Sequence, residues 1–600
     1  MKEIIKFECL YKLFCTALVL PLLSLLTGWF MKYVIQDSIV YNFDIFFRLL
    51  TIPGMIFILI YAFIFLSLVY LEYVSIYKMA YLCQHQQPFN WRSIFYSGFH
   101  ELKAFKTPSV LFIFIYFILL NPLWHLGFVS SMIPRVSIPN FITNEILKMN
   151  MGSVLALSLY LILFILYAFL IFVPFYMIYS QTSFIKSCKL SIRTMLHQRK
   201  IWFILIGIFI VYYLLENYVF PHYFLNVSDF NFYFLRYFVL SSTFRMRTFL
   251  FIGFSVLWTV VEIGFIFFQI RSVKDVDVNC TFEQTYKSHK IDVKTRIKRH
   301  KLAASIISCC SLGAFILFYF NQEPLLHLPY AIGHRGDISQ VENSLEGILA
   351  ADANGADFAE IDIQMTKDKI LVLCHDTNLK RLTGKDINLQ DCTLEELKEL
   401  TIQDHYGHQA KIPTLEEAIQ TAKNAPNQIG LLIEFKPLEG DREETIRQTI
   451  ELIERYDFAD KAMFMSMDVQ SVEMLAKERD DWWIGYCAFG NFGRIQIRLN
   501  DPFIPDFIAI EESAINTQLL EDARNNVLPV YVWTVDDIDA IQDYLNMGIS
   551  GIIGDASDQV AYGVHQFKAQ VNTDDEHYKT TCFGFPQLTK DEYDYVQCER

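Results

Sequence analysis

In the second half of this 600-residue chain, polar residues able to handle a phosphate ester recur as short ordered pairs: His334-Arg335, Glu360-x-Asp362, His375-Asp376 and Glu434-x-Lys436. Glu360, Asp362 and Glu434 would make a hard oxygen donor set suited to Ca²⁺ or Mg²⁺. A cation held there would polarise a phosphoryl oxygen. Arg335 and Lys436 would clamp the remaining oxygens. Two imidazoles, His334 and His375, can share acid and base work near neutral pH. A lone His at a strand end is usually structural, and a Glu-x-Asp pair is usually solvated surface. What carries the chemical reading is that all of these groups would have to converge on one rim.

Convergence requires a fold that gathers distant segments. From residue 329, β-rich runs alternate with helical patterns. The runs are 330–334, 357–362, 429–435, 462–466, 483–487, 506–510, 529–535 and 550–555, and the helical stretches are 343–354, 414–424, 441–456, 468–479, 513–524 and 536–547. Eight strands over about 230 residues have the size and order of a (β/α)₈ TIM barrel, whose site lies at the C-terminal ends of its strands. An open doubly wound sheet is disfavoured, because no Gly-rich phosphate fingerprint follows the first strand. The run 370–376 follows its neighbour too closely for a parallel crossover and must return as a hairpin. With Lys367-Asp368 as a two-residue turn, His375 falls opposite Glu360, on the face that Glu360 shares with Asp362.

Ordered marks along this half resemble the glycerophosphodiester phosphodiesterase family: His334-Arg335-Gly336, Glu342-Asn343-Ser344, Glu360-Ile361-Asp362, Thr366-Lys367-Asp368, His375-Asp376 and Glu434-Phe435-Lys436. The resemblance covers residues 329–562 and implies a metal-dependent (β/α)₈ barrel. It implies that Glu360, Asp362 and Glu434 hold a divalent cation, that His334 and His375 are the acid and base pair, and that Arg335 and Lys436 contact phosphate. A substrate glycerol hydroxyl would attack phosphorus first, and the second His would protonate the leaving alcohol. Glu342 is either an orienting group beside the site or a helix cap. Trp533 is either a wall for the glycerol or alcohol moiety or part of the core. Two departures are Val341 in place of the usual Pro, and Gly554-Asp555-Ala556 where Thr-Asp is common. A phospholipase of C or D type acting on intact lipids is the alternative enzyme. A transporter or sensor with a degenerate barrel is the non-enzymatic one.

The first half has a different character. Residues 1–320 carry 28 Lys and Arg against 14 Asp and Glu, whereas residues 321–600 carry 23 against 51. The acidic half disfavours nucleic acid as a partner. The basic half holds seven apolar stretches long enough to span a bilayer, at about 13–35, 49–77, 107–128, 152–180, 201–220, 248–270 and 302–320. The stretch 230–244, interrupted by Arg236, reads as interfacial. Loops 1–12, 78–106, 181–200 and 271–301 hold 3, 4, 5 and 9 basic residues, against 1, 2 and 3 in the alternating set 36–48, 129–151 and 221–247. This bias puts the N-terminus in the cytoplasm and the barrel outside. Glu72, Glu216 and Glu262 lie near the ends or in the later halves of their spans, where a carboxylate either marks an intramembrane functional site or snorkels to the interface, the second being favoured. The expected organisation is therefore a multi-span α-helical membrane domain at 1–325, a TIM barrel at 326–562 and an acidic tail at 563–600. Its partners would be a glycerophosphodiester or lipid-derived substrate and membrane lipids. The scattered cysteines contain no C-x-x-C motif, so a zinc site is not expected; Cys582 and Cys598 are the one pair whose bridging is imaginable.

Overall fold

The computed structural model describes residues 2–35, 44–101, 130, 146, 152–179, 182–214, 242–272, 328–438, 440–490, 495 and 503–572. The chain forms two compact units.

The C-terminal unit contains strands β1 (Tyr330–Gly333), β2 (Phe358–Met365), β3 (Leu371–Leu373), β4 (Ile402–Gln403), β5 (Gln409–Ala410), β6 (Gly430–Phe435), β7 (Ala462–Ser466), β8 (Trp483–Ala488), β9 (Phe507–Glu511), β10 (Val530–Trp533) and β11 (Gly551–Gly554). Eight of them pair in parallel in the order β1-β2-β6-β7-β8-β9-β10-β11, and β11 returns to β1. That closure is the (β/α)₈ barrel. The additional strand β3 pairs antiparallel with β2, and β4 with β5 form a small separate hairpin too short to be read from periodicity.

The strand register decides which residues face the interior. Glu360 pairs with Leu432 and Asp362 with Glu434, while Leu432 pairs with Met463 and Glu434 with Met465. Leu432, Met463 and Met465 belong to the apolar cluster shared by Ile332, Phe507, Tyr531 and Ile553 from other strands, which is the barrel interior. Register partners share a face. Glu360, Asp362 and Glu434 therefore project inward above this apolar plug, while Ile361, Ile363, Ile433 and Phe435 point outward and are buried.

The hairpin departs from expectation by one residue. Ile363 pairs with Leu373 and Gln364 with Val372, so Glu360 does not oppose His375. The loop holds three residues rather than two, because Lys369 adopts a left-handed conformation with φ 62°. The Lys369 N–H donates to the Thr366 carbonyl and the Thr366 N–H to the Ile370 carbonyl, at 3.0 and 2.9 Å. This three-residue arrangement is the next most common way to close a hairpin.

Among the described residues of the membrane unit, three helices are long and apolar enough to cross a bilayer: Ile52–Gln84, Leu157–Ile178 and Thr248–Ser272. Thr51 caps the first, its Oγ1 accepting from Gly54 N, with Pro53 in the opening turn. Helix Phe184–His197 meets the apolar helix Lys200–Val211 at 95°. Helix Gly152–Leu170 breaks before Val173–Tyr179, a segment containing Pro174. The broken turn is satisfied from outside: Ser191 Oγ donates to the Phe169 carbonyl at 2.6 Å, and Gln269 Nε2 to the Ile171 carbonyl at 3.2 Å.

Glu72 and Glu262 do not snorkel. Both are buried, together with Glu8. Ser130 donates to Glu72, and Lys12 Nζ stands 3.7 Å from Glu8 and 3.8 Å from Glu262. A neighbouring ammonium offsets part of the cost of burying these carboxylates. Glu216 and the spans expected at 107–128 and 302–320 lie outside the described residues, as do segment 230–241, most of loop 271–301 and both tail cysteines.

Candidate active site

His334 is placed by register. Ile332 of β1 pairs with Ile553 of β11, and Gly333 with Gly554, so the next residues on each strand, His334 and Asp555, stand opposite one another. His334 Nδ1 lies 2.6 Å from Asp555 Oδ1. A carboxylate accepts the Nδ1 hydrogen, which leaves Nε2 of the neutral ring as the acceptor. His375 repeats the arrangement, its Nδ1 lying 2.9 Å from Asp376 Oδ1. Gln364, two residues beyond Asp362 on β2, fixes the backbone there: its Nε2 donates to the carbonyls of Cys374 and His375 at 2.9 and 3.0 Å.

The turn after β1 is bent sharply. Arg335 and Asn343 both adopt positive φ, 52° and 55°, a conformation that side-chain-bearing residues hold only when their surroundings enforce it. Here the Arg335 N–H donates to Glu360 Oε2 at 2.7 Å, and the Arg335 carbonyl accepts from Asn343 N at 2.9 Å. Gly336 has φ +98°, and a Cβ on it would meet the Gly347 carbonyl carbon at 2.7 Å. The loop can therefore lie directly on helix Leu345–Ala353. Gly554 is similarly confined, since a Cβ there would lie 2.4 Å from the Val535 carbonyl oxygen. A Thr at that position would not fit this backbone.

Glu360, Asp362 and Glu434 are buried, and one oxygen of each lies within 4.8 Å of the others. Asn343 clasps Asp362 with two bonds of 2.9 Å, Nδ2 to Oδ2 and the Asp362 N–H to Oδ1. Lys436 Nζ sits 2.8 Å from Glu434 Oε1 and 3.3 Å from Asp362 Oδ1. Arg335 Nε lies 3.5 Å from Asp362 Oδ2. Burial works against ionised Asp362, but the charges of Lys436, His375 and Arg335 outweigh it and hold this carboxyl below its ordinary range. Glu360 goes the other way: burial, then the charges of Asp362 and Glu434, push it well up. Three converging buried carboxyls, one of them driven toward its neutral form by burial and by the other two, are relieved by a bound divalent cation, so the donor set fits such a metal.

Glu342 does not cap the helix. Ser344 caps helix Leu345–Ala353, accepting from Gly347 N at 3.0 Å. Glu342 accepts from Arg335 NH1 at 3.1 Å and takes two bonds of 2.6 Å from Arg381. Arg381 Nε donates in turn to Asp376 Oδ2 at 2.7 Å. Burial opposes ionisation of Asp376, but His375 and Arg381 bring it down to about 2. Trp533 lies in the apolar interior cluster at the C-terminal end of β10.

Sequence reading does not single out Asn343, Gln364 or Arg381 and gives Asp555 no role. Asn343 and Asp555 are visible as members of quoted motifs. Gln364 carries a faint signal, as the next inward position after Glu360 and Asp362.

A parallel barrel carrying this lattice of acids and bases at the C-terminal rim of its strands defines a hydrolase of phosphoric diesters. Residues 333–559 match the glycerophosphoryl diester phosphodiesterase family, and residues 1–310 match the membrane domain of glycerophosphoryl diester phosphodiesterase. The chain belongs to this family and is a membrane protein. It is 29% identical over 233 residues to a glycerophosphodiester phosphodiesterase of Caldanaerobacter subterraneus, covering 37% of this chain and 93% of that protein. A human lysophospholipase D is 28% identical over 191 residues, 28% of this chain and 59% of that protein. An Oleispira antarctica phosphodiesterase, solved with the product sn-glycerol-3-phosphate, is 27% identical with a TM-score of 0.36, over 40% of this chain and 97% of that one.

Proposed function

We propose that the barrel hydrolyses glycerophosphodiesters to glycerol phosphate and a free alcohol, with His334 and His375 as the acid and base pair. The observation that carries this reading is that each imidazole has its Nδ1 against a carboxylate, Asp555 or Asp376. Each ring then offers Nε2 for proton transfer. One takes the proton from the attacking glycerol hydroxyl, and the other returns a proton to the leaving alcohol oxygen as its bond to phosphorus breaks; water, deprotonated by an imidazole in a second step, then attacks the cyclic phosphate, and the ring oxygen it displaces takes a proton to give glycerol phosphate. Glu360, Asp362 and Glu434 hold a divalent cation, Ca²⁺ or Mg²⁺, which when bound supplies Lewis-acid polarisation of a phosphoryl oxygen. Arg335 and Lys436 bring positive charge to the other oxygens. The protein crosses the cell membrane several times, with the barrel on the outer side among lipid-derived substrates.

The test is product analysis with the full-length protein and added Mg²⁺ or Ca²⁺. Glycerophosphocholine should yield glycerol phosphate and choline, and His334→Ala and His375→Ala should each lower the rate by about 10²–10⁴-fold. Near-normal turnover in both variants would rule out this use of the imidazoles. A second reading, cleavage of lysophospholipids, is favoured by the membrane domain in the same chain and by the similarity to the human lysophospholipase D. Lysophosphatidic acid released from lysophosphatidylcholine faster than glycerol phosphate from glycerophosphocholine would select it.

A further inference from the structure

We infer that Arg381 is a positioning residue that sets both arms of the site, holding His375 through Asp376 and Arg335 through Glu342. This rests on the roles of His375 and Arg335 proposed above.

The geometry is that of a fork. Two guanidinium nitrogens, NH1 and NH2, bind the two oxygens of Glu342, each at 2.6 Å, while Nε binds Asp376 Oδ2 at 2.7 Å. The other oxygen of Asp376 holds His375, and Glu342 Oε1 also holds Arg335. One planar cation thus joins a carboxylate from the loop after β1 to one from the loop after β3. Both carboxylates are largely shielded from water, with side chains 14% and 23% exposed, so their mutual repulsion is weakly screened. Neutralising both from one point keeps them from swinging apart.

The short helix Lys380–Thr383 is itself anchored. Leu379 and Leu382, on either side of Arg381, pack in one apolar cluster with Val341 and Cys374. Those are the chain neighbours of Glu342 and His375. The apolar contacts fix the base of the arginine, and the fork fixes its tip. An ammonium could not replace it, because three N–H groups on one atom cannot meet a carboxylate side-on while reaching a second one.

The roles predict separable kinetics. In the full-length enzyme with excess Mg²⁺ and glycerophosphocholine, Asp376→Asn should lower kcat, and Glu342→Gln should mainly raise KM. Arg381→Ala should do both, with a fall in kcat of about 10²-fold. Adding Asp376→Asn to Arg381→Ala should cost little further kcat, because the two act through one arm. Arg381→Lys should not restore activity, whereas guanidinium ion supplied to Arg381→Ala should restore part of it. Calorimetric Mg²⁺ binding should be retained in each variant, reporting a folded barrel. Near-normal kcat and KM in Arg381→Ala, or losses that add fully in the double variant, would overturn the inference. If Arg381→Ala does not fold, wild-type kinetics in Arg381→Lys would overturn it. Activity surviving in His334→Ala and His375→Ala would instead remove the reading on which it rests.

Discussion

His334 and Asp555 face each other across the seam where the last barrel strand closes on the first, with Nδ1 2.6 Å from Oδ1. Asp555 is buried. In the proposed mechanism the contact would fix which ring nitrogen carries the hydrogen. Asp555→Asn preserves the shape but can present an N–H where the carboxylate accepted one, favouring the wrong tautomer. The expected result is a fall in kcat of about 10²–10⁴-fold with metal binding intact. Steady-state kinetics beside metal titration check this, and an unchanged kcat would show that Asp555 does not orient the ring.

Metal removal gives the second prediction. Chelated enzyme should be inactive and should recover on adding Mg²⁺ or Ca²⁺. Glu434→Gln should weaken metal binding, since it removes one of three carboxylates and leaves Lys436 with less to oppose it. Full activity in excess chelator, with no metal detected, would dispose of the assignment.

A pH dependence follows from Glu360. Burial and the neighbouring Asp362 and Glu434 raise its pKa, so the metal-free site keeps a proton that an ordinary glutamate has lost. A cation must displace that proton. Metal affinity should therefore strengthen as pH rises, and binding should release protons. Calorimetry in buffers of different ionisation enthalpy measures the release. Proton-neutral binding across the mildly acidic to neutral range would show that Glu360 is already ionised.

The barrel is legible in the sequence because its strands are short, continuous apolar runs set between polar helical patterns, and the predicted ranges fall within a few residues of β1, β2, β6, β7, β8, β9, β10 and β11. The hairpin register is not, because Lys369 takes a left-handed conformation that its residue type does not announce. Asn343 and Arg381 act across separations of 19 and 39 residues, on Asp362 and Glu342. No local period encodes such contacts. The burial of Glu72 and Glu262 escapes the sequence for a related reason. Lys12, which faces Glu262, stands on another helix, so distance from the span end is the only guide that the sequence offers.

Gly336 offers a stability test of the loop that carries Arg335. Its φ of +98°, and the 2.7 Å at which a Cβ would meet Gly347, leave no room for a side chain. Gly336→Ala should destabilise the barrel by about 1–3 kcal/mol from backbone strain alone. Faster hydrogen exchange in β1 and helix Leu345–Ala353 of the full-length protein would report it. Unchanged exchange would mean that the loop relaxes without cost.

The orientation of the barrel is the remaining prediction. Segment 271–301 carries nine basic residues against four acidic ones, Asp275, Asp277, Glu283 and Asp292, and precedes the apolar stretch 302–320. Basic loops of this length stay in the cytoplasm. The stretch 302–320 has no charged residue, and 19 residues at about 1.5 Å each match a hydrocarbon core of about 30 Å. β1 begins at Tyr330, too soon for another crossing. The barrel should therefore stand outside, close over a leaflet whose anionic lipids its acidic half repels. Protease added to intact cells or spheroplasts should digest the barrel and spare the 271–301 loop. Protection of the barrel until the membrane is opened would reverse the topology and move its substrates to the cytoplasm.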